Sequence, residues 1–165
     1  MSFSEQNGDI FKSEGLDAIA HGVNCKGPMG GFAGLVKSKY PEMSNHYREL
    51  CNRRLLKPGN IFHWHEEGSP NIYNLATQEN PGPDAKYEYI DASMKTMLSH
   101  AEAHGVRTIG IPQIGCGIGG LEWPKTRELI RSISEKSPVH VVAFSYEEHP
   151  KSSRDQEEQS GTINL

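Results

Sequence analysis

The sequence predicts a three-layer α/β/α domain in which helices cover both faces of a mixed central sheet. Three observations carry that reading. Short apolar runs alternate with stretches of helical periodicity along the chain. Two of those runs, Ala18–Val23 and Thr108–Ile111, each lead into a glycine-rich loop and then a helix. The second run, TIGI, is apolar throughout, as expected of a strand buried on both faces of a parallel sheet.

Taken in order, residues 8–11 read as the end of a short first strand, with Asp9 at its exit. Glu14-Gly15 precedes the second strand, Ala18–Val23. Gly27, Pro28, Gly30 and Gly31 then form a loop, and Phe32, Ala33, Leu35 and Val36 open a helix. Pro41 closes that helix, because proline has no N–H and restrains the residue before it. Residues 43–50 suggest another short helix and 57–59 a turn. Strands are expected at 61–65 (IFHWH) and 72–76 (IYNLA), joined by a Gly-Ser-Pro-Asn turn. A long helix is predicted at 84–104, with Asp84 as N-cap and Tyr87, Ile90, Met94, Met97 and Leu98 at helical spacing. After Thr108–Ile111 comes the second glycine loop, 115–120 (GCGIGG). Pro124 suits the first turn of a helix whose inner face is Leu129, Ile130 and Ile133. Residues 139–144 read as the last strand. The domain is therefore placed at 1–148, and the polar stretch 149–165 is expected to be a disordered tail.

Composition narrows the function. At 165 residues, 35% hydrophobic and 23% charged, the chain has the make-up of one soluble domain with a real core. No apolar run is long enough to span a membrane, and no signal peptide is expected from MSFSEQNGDIF. Three cysteines, none in CxxC spacing, argue against a disulfide framework or zinc site and for a reducing compartment. A cytoplasmic monomer is the expectation, or a nuclear one in a eukaryote, with no metal and no cofactor. The net charge of −4 speaks against general nucleic-acid binding.

The two glycine loops carry the chemistry. A loop between the carboxyl end of a strand and the start of a helix offers backbone N–H groups to an anion, with the helix dipole behind them. In open α/β sheets, ligands bind at those carboxyl ends. Two such loops on one edge point to two phosphates, or a pyrophosphate held between them.

The stretches Gly8-Asp9-Ile10, HGVNCKGPMGGFAG (21–34), PQIGCGIGGLEW (112–123) and the aromatic end of the last strand resemble the macrodomain family, the ADP-ribose-binding fold. Within it, the sequence is similar to the branch of terminal ADP-ribose glycohydrolases, DNA-ADP-ribose-removing antitoxins and proteins acting on ADP-ribose 1″-phosphate. The resemblance implies that Asp9 accepts from the adenine amino group, with the Ile10 N–H beside it. Gly30, Gly31 and Phe32 would lie along the pyrophosphate and distal ribose. Gly115, Cys116, Gly117, Ile118, Gly119 and Gly120 would close over the pyrophosphate from the other side. Phe144 and Tyr146 would flank the adenosine, and Asn24 would sit at the distal ribose as the candidate catalytic residue.

The sequence also departs from that branch. Where the glycohydrolases carry a nucleophilic lysine this chain has Gln78, and a catalytic aspartate of some members corresponds to Gly119. An amide forms no Schiff base and glycine is neither acid nor base, so the covalent-lysine route does not transfer. Lys26 reads as a solvated loop lysine. His21 is either a general base or a satisfied strand-end histidine. His63 and His65, on one face of a strand, lack a third metal ligand and read as solvent-facing. Cys116 reads as a space-filler and Trp123 as a plug beneath the second loop. Asn74 and Thr77 either line the distal end or simply end a strand. Two functions stay open: hydrolysis of an ADP-ribose conjugate (1″-phosphate, acyl or ADP-ribosylated macromolecule) and non-catalytic recognition of ADP-ribose.

Overall fold

The computed structural model describes residues 3–146. Six strands, β1 (Phe3–Asn7), β2 (Ala18–Val23), β3 (Ile61–Trp64), β4 (Asn71–Ala76), β5 (Thr108–Ile111) and β6 (His140–Ser145), form one sheet in the order β1-β6-β5-β2-β4-β3. Every neighbouring pair is parallel except β3, which runs antiparallel to β4 at the sheet edge. Four helices, α1 (Gly31–Lys39), α2 (Pro41–Asn52), α3 (Tyr87–Ala103) and α4 (Trp123–Ser134), complete the fold.

The period-2 alternation of the strands separates two cores. On β2, Ala18 and Ala20 join Met94, Met97 and Ile130 of α3 and α4, while Ile19 and Val23 join Val36, Met43 and Tyr47 of α1 and α2. Ile72, Ile109 and Ile130 are fully buried, each worth about 1.5–3 kcal/mol. The parallel strands all end on one edge, where the residues after them form the loops described below. No helix among the described residues is long and apolar enough to cross a membrane.

The structure corrects several boundaries. The first strand is Phe3–Asn7, and residues 8–11 lie beyond it. Gly8 turns the chain at φ 136°, and the Asp9 carboxylate accepts from the Phe11 N–H at 2.9 Å. That bond winds Ile10–Lys12 into a 3-10 turn. The long helix begins at Tyr87 with Lys86 as N-cap, so Asp84 does not cap it. Asp84 instead accepts from the Asn80 N–H at 2.9 Å, while Ala85 bridges to Gln78 and Lys86 donates to the Thr77 carbonyl. Backbone pairing there outcompetes the start of a helix. The second helix is longer than 43–50, with Pro41 in its first turn. Strand β3 stops at Trp64, so His65 shares no strand face with His63. His63 is bound to Asn71 (2.7 Å) and packs on Tyr73 and His100, and no metal-binding group of three His, Cys, Asp or Glu occurs among the described residues. The expected tail, 149–165, lies outside the described residues.

Candidate functional site

One long cleft runs along the carboxyl edge of the sheet, in two halves joined at Phe32, Pro112 and Gln113. The proximal half, about 840 Å³, lies over the ends of β1 and β6. The distal half, about 560 Å³, lies between the two glycine loops, at the ends of β2 and β4.

The proximal half contains Asp9, Ile10, Phe32, Phe144 and Tyr146 of the anticipated residues. Asp9 uses Oδ1 to hold its own turn. Phe144 is only 5% exposed, whereas Tyr146 stands 71% exposed at the rim. Phe144 can lie across β5 because Gly110 has no side chain; a Cβ there would come within 3.1 Å of the Phe144 ring. On the opposite wall, Phe11 and Lys39 join the anticipated Phe32. Phe11 stacks on Phe32 with centroids 5.3 Å apart and planes 10° apart, and the Lys39 ammonium sits 5.0 Å over Phe11. Gln113, which lines both halves, donates to the Ser145 hydroxyl at 3.1 Å.

The distal half contains Asn24, Gly30, Gly31, Phe32 and the run Gly115, Cys116, Gly117, Ile118 and Gly119. Gly120 lies outside it, turned away at φ 87° against Pro83. Gly30 caps α1 without a side-chain bond, and both it and Gly31, the first residue of that helix, line the cleft. Gly31 holds φ 55°, a left-handed value that favours glycine. Ile118 reaches over from the second loop: a Cβ on Gly31 would stand 3.2 Å from its Cδ1. The loops thus touch above the floor of the cleft.

Asn24 is the brace of the first loop. Its Oδ1 accepts from the N–H groups of Lys26 (2.9 Å) and Gly27 (3.0 Å), and its Nδ2 donates to the Pro28 carbonyl (2.9 Å). The Tyr47 hydroxyl, from α2, donates to the Asn24 carbonyl at 2.7 Å and lies 3.0 Å from Oδ1. Burial pushes that phenol above its usual range, so it stays protonated as a donor. The Pro28 carbonyl takes one of the two Nδ2 protons of Asn24.

Gln78 is pinned by its own loop, with Nε2 donating to the carbonyls of Asn80 (2.6 Å) and Gly82 (2.7 Å). Beneath the site, His21 of β2 is 1% exposed and bound through Nε2 to Asn74 Oδ1 at 2.6 Å. Burial lowers its pKa from 6.5 to about 4, so at neutral pH the imidazole is uncharged and cannot act as a general acid. Asn74 is wholly buried, while Thr77 lines the distal half. The Cys116 thiol sits 3.6 Å from Thr126 Oγ1 and is pushed up by burial, so it is no nucleophile. Lys26 is solvent-facing beside Glu79, 3.9 Å away. Trp123 starts α4 and packs on the core.

This fold and site define a class. The family model for the Macro domain matches residues 20–130, about two thirds of the chain, and the chain belongs to that family. Among curated relatives, it is 29% identical over 143 residues to the DNA ADP-ribosyl glycohydrolase of Mycobacterium tuberculosis, covering 84% of this chain and 40% of that protein. It thus spans well under half the length of that relative. It is also 29% identical over 139 residues to the ADP-ribose glycohydrolase OARD1 of Homo sapiens, covering 84% and 88%. Among solved structures, the macrodomain of Mycobacterium tuberculosis DarG superposes with a TM-score of 0.77 at 27% identity, covering 86% of this chain and 96% of that one.

Proposed function

We propose that the cleft binds ADP-ribose and that the protein hydrolyses an ADP-ribose conjugate at the distal ribose. The observation that carries this is a cleft in two joined halves, one walled by Asp9, Phe32 and Phe144 and the other lying between two glycine loops that face each other. In this reading Asp9 Oδ2 takes the adenine amino group and the loops take the pyrophosphate. The remaining Nδ2 proton of Asn24 goes to the distal sugar. Among the described residues no lysine or arginine lines the distal half, in keeping with phosphates held by N–H groups.

The same lining bears on the conjugate. Its titratable groups are His21, neutral down to about 4, and a Cys116 thiol pushed up by burial. Neither protonates a leaving group at neutral pH, so the best substrates leave as stable anions: a 1″-phosphate or an acyl ester, free or on a macromolecule. A reducing compartment, the cytoplasm or a nucleus, suits the three free thiols.

The pinned amide of Gln78 and the absent side chain of Gly119 favour the second reading, recognition without turnover. Calorimetry with ADP-ribose, followed by turnover assays on ADP-ribose 1″-phosphate, acetyl-ADP-ribose and ADP-ribosylated protein and DNA, separates the two. Binding with no turnover on any of them leaves the recognition module; no binding overturns both.

A further inference from the structure

The distal half contains a polar group for which the chemistry above has no use. His21 and Asn74 lie opposite each other in the β2–β4 register. Asn74 Nδ2 donates to the Phe62 carbonyl at 3.0 Å, which fixes the orientation of the carboxamide. Its Oδ1, 2.6 Å from His21 Nε2, can only accept, so His21 carries its proton on Nε2. Nδ1 is then a bare acceptor. It is buried and, among the described residues, has no hydrogen-bond partner, although His21 lines the distal half.

A buried acceptor left unpaired is a standing cost that a donor in the right place removes. None of the described residues supplies that donor, so it must come from what fills the cleft. Ionised phosphate oxygens carry no proton to give at neutral pH, whereas each sugar hydroxyl does. The ring of Phe32 lies tilted against that of His21, centroids 5.9 Å apart, and Phe32 lines both halves of the cleft.

We infer that Nδ1 of His21 accepts a hydrogen bond from a hydroxyl of the distal sugar, making His21 a specificity-determining residue that marks the distal half as a sugar subsite. The inference rests on the ADP-ribose reading of the cleft. Its consequence is discrimination: ADP, which ends at the phosphate, leaves Nδ1 unpaired, and ADP-ribose does not.

The test is nitrogen NMR on protein labelled with ¹⁵N-histidine, titrated with ADP-ribose and with ADP, with calorimetry to confirm saturation. The Nδ1 resonance of His21 is expected to start at the position of an unprotonated ring nitrogen. Saturating ADP-ribose should move it towards the hydrogen-bonded range, and ADP should leave it in place. A resonance unmoved by bound ADP-ribose, or moved equally by ADP, overturns the inference and leaves the site reading intact. Failure to bind ADP-ribose at all overturns the site reading and this one with it. In parallel, His21→Leu should weaken ADP-ribose about three- to tenfold, the worth of one neutral hydrogen bond, with ADP unchanged. Equal losses for both ligands count against the role, and should the variant not fold, the spectra of the unsubstituted protein decide.

Discussion

Gln78 and Gly119 are packed against each other: a Cβ added to Gly119 would stand 3.1 Å from Gln78 Oε1. It would also stand 2.7 Å from the Gly115 carbonyl oxygen and 2.8 Å from the Ala85 Cβ. The two positions at which the sequence departs from the catalytic pattern implied by its family resemblance are therefore neighbours in the structure. Gly119→Asp is expected to destabilise the domain by about 1–3 kcal/mol through overpacking and to restore no activity. Urea unfolding and turnover on ADP-ribose 1″-phosphate check it; a variant both fully stable and faster would refute the coupling.

Gln78→Ala removes the two hydrogen bonds that hold loop 78–82. It should lower stability by about 1–2 kcal/mol while changing any turnover rate less than about tenfold, or 1.4 kcal/mol of barrier. Asn24→Ala should cost more than about a hundredfold in kcat, because orienting the distal sugar matters most when its anomeric carbon reacts. Tyr47→Phe keeps the Asn24 carboxamide and loosens only its brace, so its loss should be much smaller. Equal losses in the Asn24 and Tyr47 variants would reduce Asn24 to a brace.

Gly31→Glu should abolish ADP-ribose binding. The residue sits at φ 55°, a Cβ there would stand 3.2 Å from Ile118, and a carboxylate beyond it enters the pyrophosphate path. Circular dichroism alongside a binding titration decides it; retained affinity in a folded variant moves the phosphates elsewhere.

Asp9→Ala should weaken ADP-ribose by about 1.5–3 kcal/mol, the usual worth of a hydrogen bond to a charged group. Part of the loss comes through the Ile10–Lys12 turn, which loses its cap. Comparing adenine- and guanine-bearing ligands isolates the recognition part: selectivity that survives the substitution removes Asp9 from that role.

Stability should fall with acid. His21 is neutral when buried, its pKa lowered from 6.5 to about 4. The unfolded chain takes up that proton first as pH drops. The stabilisation is complete above 6.5 and shrinks as pH falls from 6.5 towards 4, by an amount on the order of 3 kcal/mol. His100, lowered chiefly by burial and further by His63 and His104, acts in the same direction. Urea midpoints at pH 7.5 and pH 4.5 test this, and the dependence should flatten in His21→Leu. An equally steep curve in that variant would assign the effect elsewhere.

Much of this architecture is legible in the residues because the signals are local. Strands β2 and β5 are short apolar runs ending in glycine loops, and the alternation that buries Ile19 opposite Ala20 is visible in the chain itself. What escapes is competition between local and distant partners. Asp84 has the form of an N-cap, yet Gly119 and Thr77 claim the N–H groups of Ala85 and Lys86, and the helix starts later. Asp9 sits at the cleft, but its bond to Phe11 turns an expected strand into a 3-10 turn. The neutrality of His21 comes from burial, against the opposing pull of its bond to Asn74, 53 residues away, and neither has a signature in the sequence. Tyr47 reads as an ordinary core aromatic until its hydroxyl is found on Asn24.

That last contact reaches beyond geometry. The Asn24 carboxamide and the Tyr47 hydroxyl wind the first loop before any ligand arrives. Fixing a backbone costs about 1–2 kcal/mol of conformational entropy per residue, and here that cost is borne when the chain folds. Ligand association should therefore show only a small entropic penalty and rapid, single-step kinetics. Amide exchange in the loop should be slow already in the free protein and change little on saturation.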